Sequence, residues 1–316
     1  MGVSACHIFI FNVMITYSIQ KILEVFVATS ISLAIEKFKN NLQITMLQES
    51  TVSTRQTNVR NVIQSDMIVL DSFLTGSYRR CTLISPLSKS DIDIFIILDP
   101  KYFRAQNNGP ANLLDQVKRV LQKTFTKTPK ISRNGQAVTI TFTDFMVDIV
   151  PAFHRKNGGF LIPNSTRNIW ISTDPKIHVE ILTKKNQIQN GKLIPLIKMI
   201  KAWNRIHNSF FQSFHLEVLA LEVFDNIIIS DYPSGVRYFF QKASKLVLQE
   251  NLDPSGYGGD VGSYQKEKND EYIAQSALQK AYIEAWYAEE SVKVNNVAKA
   301  IKHWQNLFGD YFPSYG

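Results

Sequence analysis

Residues 76–98 read GSYRRCTLISPLSKSDIDIFIIL. The stretch opens on a Gly-Ser pair, passes two arginines and a polar loop, and ends in an apolar run entered by Asp91 and Asp93. That run is β-branched and aromatic and is closed by Asp99-Pro100, which predicts a strand over 90–100. Side chains alternate along a strand, so Asp91 and Asp93 share one face, with α-carbons about 6–7 Å apart. Two such charges repel and raise the pKa of one partner. Divalent cations with oxygen ligands remove the conflict, and magnesium favours sites shared with phosphates. Taken alone, D-x-D is also an ordinary solvated strand entrance.

The neighbours narrow the choice. Gly76 lets a backbone approach a phosphate closely, and Ser77 adds a hydroxyl and the amide that follows. Arg79 and Arg80 bring positive charge beside that turn. A two-metal site also needs a third carboxylate from an adjoining strand. Asp148, embedded in FMVDIVPAF, is the candidate, because a charge among apolar residues is rarely present without a partner or a metal. Asp144 shares its strand parity and is second choice.

Outward from this stretch, the spacing of Ile31, Ala34, Ile35, Phe38 and Leu42 predicts a helix over 29–42, capped by Thr29 or Ser30. A second helix is expected over about 51–70 and a third over 111–125. Residues 137–153 read as one long strand or two short ones, stopped by Pro151. From about 176 the chain is mostly helical, broken by a Gly-rich loop at 252–265. The expected architecture is a mixed-sheet lobe packed against a helical lobe, with a cleft between them.

Composition sets outer bounds. The 316 residues carry a net charge of +8 with 45% hydrophobic and 20% charged residues, which describes a soluble globular chain of about two lobes suited to a polyanionic ligand. Cys6 and Cys81 form neither a metal spacing nor a disulfide framework, so a reducing cytoplasm is expected. The apolar stretch 5–19 lacks a preceding Lys or Arg and is short for a membrane span of about 20 residues. It reads as an extension or a packed helix, with no membrane partner expected.

The motifs GSYRRCTLISPLSKSDIDIFIIL, VDIVPAF, IKMIKAWN and AIKHWQNLFGDYFPSYG together resemble the CD-NTases. These are the SMODS synthases of bacterial CBASS anti-phage systems, relatives of cyclic GMP-AMP synthase in the polymerase-β-like superfamily. The resemblance runs from about residue 29 to the C-terminus. It implies a bilobal α+β fold with an N-terminal extension (1–28), a nucleotidyltransferase core (29–175) and a helical C-terminal domain (176–316).

For the site, the resemblance implies that Asp91, Asp93 and Asp148 are the catalytic metal ligands. Two Mg²⁺ ions are expected there, with Mn²⁺ able to substitute. Gly76, Ser77, Lys201 and Ser213 would contact the donor triphosphate. Cys81 departs from the family's glycine after the arginine pair. Lys198, Lys201 and Arg205 share one helix flank by spacing, and Lys201 lies nearest the apolar edge; an amphipathic helix with its basic side in water would look the same. Asp253, just before the Gly-rich loop, is a candidate for the border of the base pocket.

The implied reaction joins nucleoside triphosphates, ATP among them, by in-line attack of a ribose hydroxyl with loss of pyrophosphate. Its product would be a cyclic di- or trinucleotide that signals to a downstream effector, with an operon-encoded regulatory protein as a further partner. A linear-product synthase, an RNA- or protein-modifying transferase and a non-catalytic relative remain as alternatives. The chain lacks the cysteines of the zinc insertion by which vertebrate relatives sense DNA, which argues against activation by DNA.

Overall fold

The first well-capped segment is Ile31–Asn41 (α1), where the Ser30 hydroxyl accepts the Leu33 amide. The computed structural model describes residues 27–28, 30–127, 130–266 and 269–316, so the apolar stretch at 5–19 lies outside the described residues. The second helix spans Met46–Asp66 (α2), earlier than expected. Its start is set by a capping box: Thr45 Oγ1 accepts the Gln48 amide and Gln48 Oε1 accepts the Thr45 amide.

The expectation of helix through residue 70 is corrected. Val69–Leu74 is a strand (β1), antiparallel to Asp91–Leu98 (β2), with Phe73 opposite Phe95. Pairing with a buried neighbour overrides the local pattern there. After Gly109–Thr124 (α3) come Lys130–Asn134 (β3), Ala137–Thr141 (β4) and Met146–His154 (β5). The apolar run from 137 is therefore two strands.

Pro151 does not stop β5. It falls between the last pair with β4, Val138–Ile149, and the first pair with the next strand, at Phe153, so its missing N–H leaves no gap in either ladder. Phe160–Asn164 (β6) and Ile169–Thr173 (β7) complete the sheet. The order is β1-β2-β5-β4-β3, with β6 pairing the end of β5 and β7 pairing β6. The β2 and β5 strands pair in parallel, joined by the α3 crossover and the β3–β4 hairpin.

Alternation along β2 sorts its residues between two environments. Ile92, Ile94, Ile96 and Leu98 enter one core with Val59 and Ile63 of α2 and Leu113 and Val117 of α3. Phe95 and Ile97 pack on the other face with Val150, Ala152 and Phe160. Asp91 and Asp93 are on this second face, at the strand's opening end.

The helical lobe comprises Pro175–Ile188 (α4), Leu193–Ile206 (α5), Ser213–Val223 (α6), Tyr232–Leu246 (α7), Glu271–Lys293 (α8) and Val297–Phe308 (α9). Trp203, Phe240, Leu278, Trp304 and Phe308 anchor its core, and α1 contributes Ala34, Ile35 and Phe38 to it. Among the described residues, no helix is long and apolar enough to cross a membrane.

Candidate active site

The parallel register of β2 and β5 sets Asp93 directly opposite Asp148. Asp91 enters on the same face two residues earlier. One carboxylate oxygen from each of the three lies within 4.8 Å of the others. On the far side of β5, Thr139 of β4 faces Asp148 and donates its hydroxyl to Oδ1 at 2.5 Å. Burial, and then the charges of Asp91 and Asp148, push Asp93 up to about 7, with Arg80 and Lys201 opposing. Asp148 is also raised, first by burial, with Thr139 opposing and Asp91 adding. A cluster so strained by burial and by its own charge is relieved by a divalent cation, and three convergent carboxylates are the oxygen donor set such an ion takes. The triad therefore fits a divalent metal site.

Asp144 is not part of it. It lies in the turn between β4 and β5, and both its oxygens accept from Arg55 Nη2 at 3.1 Å.

The Gly76–Arg79 turn crosses directly over Asp93. Thr75 donates its amide to the Asp93 carbonyl at 2.9 Å. Gly76 adopts φ +61°, and a β-carbon there would stand 1.7 Å from Asp93 Oδ2. The glycine is thus required by the Asp93 carboxylate itself as well as by its backbone conformation. Cys81 has φ 59°, the left-handed region, which accounts for a glycine being usual at that position in the family it resembles.

Ser77, Asp91, Lys201 and Ser213 line one cavity of about 190 Å³, with Ser90 and Arg205 beside them. The sequence-predicted residues from both lobes therefore meet at one place. Ser213 reaches it as the first residue of α6, and Lys201 from the middle of α5.

The basic flank of α5 is not a solvated face. Lys198 donates to Gln43 Oε1 at 2.6 Å and is buried. Arg205 ties the helix to the polar loop before β2, donating to the Ser85 carbonyl at 2.9 Å and to Ser90 Oγ at 2.8 Å. Lys201 donates to Glu217 Oε1 at 2.7 Å and Thr82 Oγ1 at 3.0 Å. An ammonium has three donors, so one is left for a ligand in the cavity.

Asp253 is not among the residues that line this cavity. It pairs with His178 Nε2 at 2.6 Å and accepts the Ser255 amide at 2.8 Å, closing its own loop. Burial opposes its ionisation, but the bonds from His178 and Ser255 hold it below the usual carboxylate range. Of the other histidines, His207 Nε2 bonds the Leu307 carbonyl, and His215 sits between Tyr264 and Asn251.

Sequence reasoning missed Thr82 and Glu217, and read Arg80 only as positive charge beside the turn. Arg80 Nε and Nη2 reach Glu217 at 2.6 and 3.1 Å, and Thr82 Oγ1 donates to it at 2.9 Å. The signal was present: Glu217 is a charge inside the apolar run SFHLEVLALEV, the same anomaly that singled out Asp148.

The fold and site define a polymerase-β-like nucleotidyltransferase. Residues 30–186 match the SMODS family, the Second Messenger Oligonucleotide or Dinucleotide Synthetase domain. Among curated relatives, a probable cyclic nucleotide synthase of Bacillus cereus is 26% identical over 274 residues, covering 76% of this chain and 81% of its own. A cyclic AMP-AMP-AMP synthase of Acinetobacter is also 26% identical, over 77% of this chain and 72% of its own. Among solved structures, E. coli CdnC in a HORMA complex superposes with a TM-score of 0.70 at 17% identity, covering 89% of this chain and 98% of that one. Vibrio cholerae DncV, a cyclic AMP-GMP synthase, gives 0.69 at 13% identity, covering 87% and 93%. The chain belongs to the CD-NTase family and is a nucleotidyltransferase.

Proposed function

We infer that this enzyme condenses nucleoside triphosphates, with ATP among them, into a cyclic di- or trinucleotide second messenger for anti-phage defence. The observation that carries this reading is the convergence of Asp91, Asp93 and Asp148 beside a cavity walled by Ser77, Lys201 and Ser213. The curated relatives are cyclic nucleotide synthases, which favours ring closure over a linear product.

Each residue's part follows from its position. Asp91 and Asp93 would hold two divalent ions, Mg²⁺ or in its place Mn²⁺, and Asp148 would share the one nearest the acceptor. When bound, these ions supply charge neutralisation for the triphosphate and a lowered pKa for the attacking ribose hydroxyl. The Gly76 turn holds Asp93 in place and brings the Ser77 hydroxyl to the phosphates. Lys201 and Ser213 contact the same triphosphate from the helical lobe. Thr139 holds Asp148 in one rotamer through its 2.5 Å bond. The protein's contribution is then orientation and preorganised charge, with no covalent intermediate.

Asp253, paired to His178 and bonded to the Ser255 amide, would brace the loop that borders the base pocket. The E. coli relative was captured with a HORMA protein, and a protein regulator is proposed for this chain as well. The test is incubation with each labelled triphosphate and Mg²⁺ or Mn²⁺, followed by phosphatase digestion and mass spectrometry. A phosphatase-resistant cyclic product is expected, absent from Asp91→Asn/Asp93→Asn. A linear or macromolecule-linked product would overturn the reading.

A further inference from the structure

Behind the three carboxylates lies a second charged cluster, of which the proposed chemistry uses only Lys201. One carboxylate, Glu217 of α6, receives four bonds from three residues: two from Arg80, one from Thr82 and one from Lys201. The three charged groups and Thr82 are each 8% exposed or less. Arg80 and Thr82 come from the sheet lobe just after the Gly76–Arg79 turn, whereas Lys201 and Glu217 come from the helical lobe. The cluster therefore joins the two lobes at the floor of the cavity. Its two cations and one anion leave a formal surplus of one positive charge beside a site for a polyanion.

We propose that Glu217 is a positioning residue for donor binding, which holds the Lys201 ammonium charged at the cavity wall and locks it to the Gly76 turn. This rests on the reading of Lys201 as a triphosphate contact.

The physical case concerns which group would yield without Glu217. Two cations would then face each other out of water, and removing one partner of a buried pair leaves an uncompensated charge. A guanidinium keeps its proton, so the lysine would lose its own. Lys201 is already pulled down by burial and by Arg80, with Glu217 the chief opposing influence. Burial alone would raise Glu217, but Arg80 and Lys201 outweigh it and hold it at about 2. Glu217 thus stays ionised across the working range and serves as a constant counter-charge. The other charges toward Lys201 are Asp91 and Asp93 at the mouth of β2, with Lys198 and Arg205 on its own helix. The two aspartates are committed to metal in the working enzyme, which leaves Glu217 as the anion available to the lysine.

The test is calorimetric binding of ATP with Mg²⁺ across about pH 7.5–9.5, above the phosphate titration near pH 6. Glu217→Gln should bind ATP about tenfold more weakly at pH 7.5, with the pH at which affinity falls moved below that of wild type. In Glu217→Gln/Lys201→Arg that pH dependence should vanish, because a guanidinium does not titrate there. A uniform loss of affinity with an unmoved pH midpoint, or no loss at all, would overturn the proposal. If the amide variant does not fold, Glu217→Asp carries the test. It keeps the charge but draws Lys201 back, so affinity should fall about tenfold with the midpoint unmoved. Wild-type affinity in that variant would overturn the proposal too. Lys201→Ala separates the two levels: if it binds ATP like wild type, the triphosphate contact itself is wrong. If it binds weakly while Glu217→Gln does not, only the positioning role fails.

Discussion

Substituting Gly76 by alanine should disable the enzyme through Asp93 with little harm to the rest of the fold. The new β-carbon would stand 1.7 Å from Asp93 Oδ2, 2.6 Å from its Cγ and 3.1 Å from its Cβ. Contacts under about 3 Å are repulsive, so the carboxylate or the turn must move by more than 1 Å. Misplacing a catalytic group by about 1 Å can cost 100-fold in rate, which sets the expected fall in kcat. The left-handed φ of +61° adds backbone strain of about 1–2 kcal/mol, a loss of a few degrees in Tm. The assay is kcat for product formation together with Tm and titration of Mn²⁺ by electron paramagnetic resonance. A folded variant with weakened Mn²⁺ binding and kcat down about 100-fold is expected. A kcat within twofold of wild type would refute the claim that this glycine exists to admit Asp93.

Asp93, pushed up to about 7 from 3.8, binds a proton more tightly in the metal-free fold than in the unfolded chain. The stability this contributes is fully present below about pH 4 and lost as pH rises through 7. Metal-free Asp93→Asn should therefore have a higher Tm than wild type at pH 8, the gap closing toward pH 5, and Mg²⁺ should raise the Tm of wild type only; equal melting at pH 8 in chelator speaks against it. Asp148→Asn leaves Asp91 and Asp93 to hold the donor's ion, so kcat should fall severely and ATP affinity modestly; steady-state kinetics showing the reverse would reject its role. Lys201→Ala should raise KM about tenfold or more, since a charged phosphate contact is worth about 1.5–3 kcal/mol. Lys198→Ala, whose ammonium is bound to Gln43, should change KM less, and equal effects would mean that neither lysine is special.

The carboxylate pair is legible in the amino-acid sequence because its geometry is local. Alternation along one strand is enough to put Asp91 and Asp93 on one face, and a charge inside an apolar run is enough to single out Asp148. The change from strands to helices near residue 175 is legible for a similar reason, since strand and helix periods differ within a few residues. What tertiary structure decided depends on partners far away in the chain. The strand at 69–74 exists because β2 lies beside it. Pro151 is tolerated because the ladder on that side is between neighbours. Asp253 is held by His178, 75 residues away. Arg80 and Glu217 are separated by 137 residues, so no spacing rule could have joined them. Sequence periodicity reports which face a residue occupies, whereas only packing of the two lobes decides which charges share that face and which of them is left with a donor to spare.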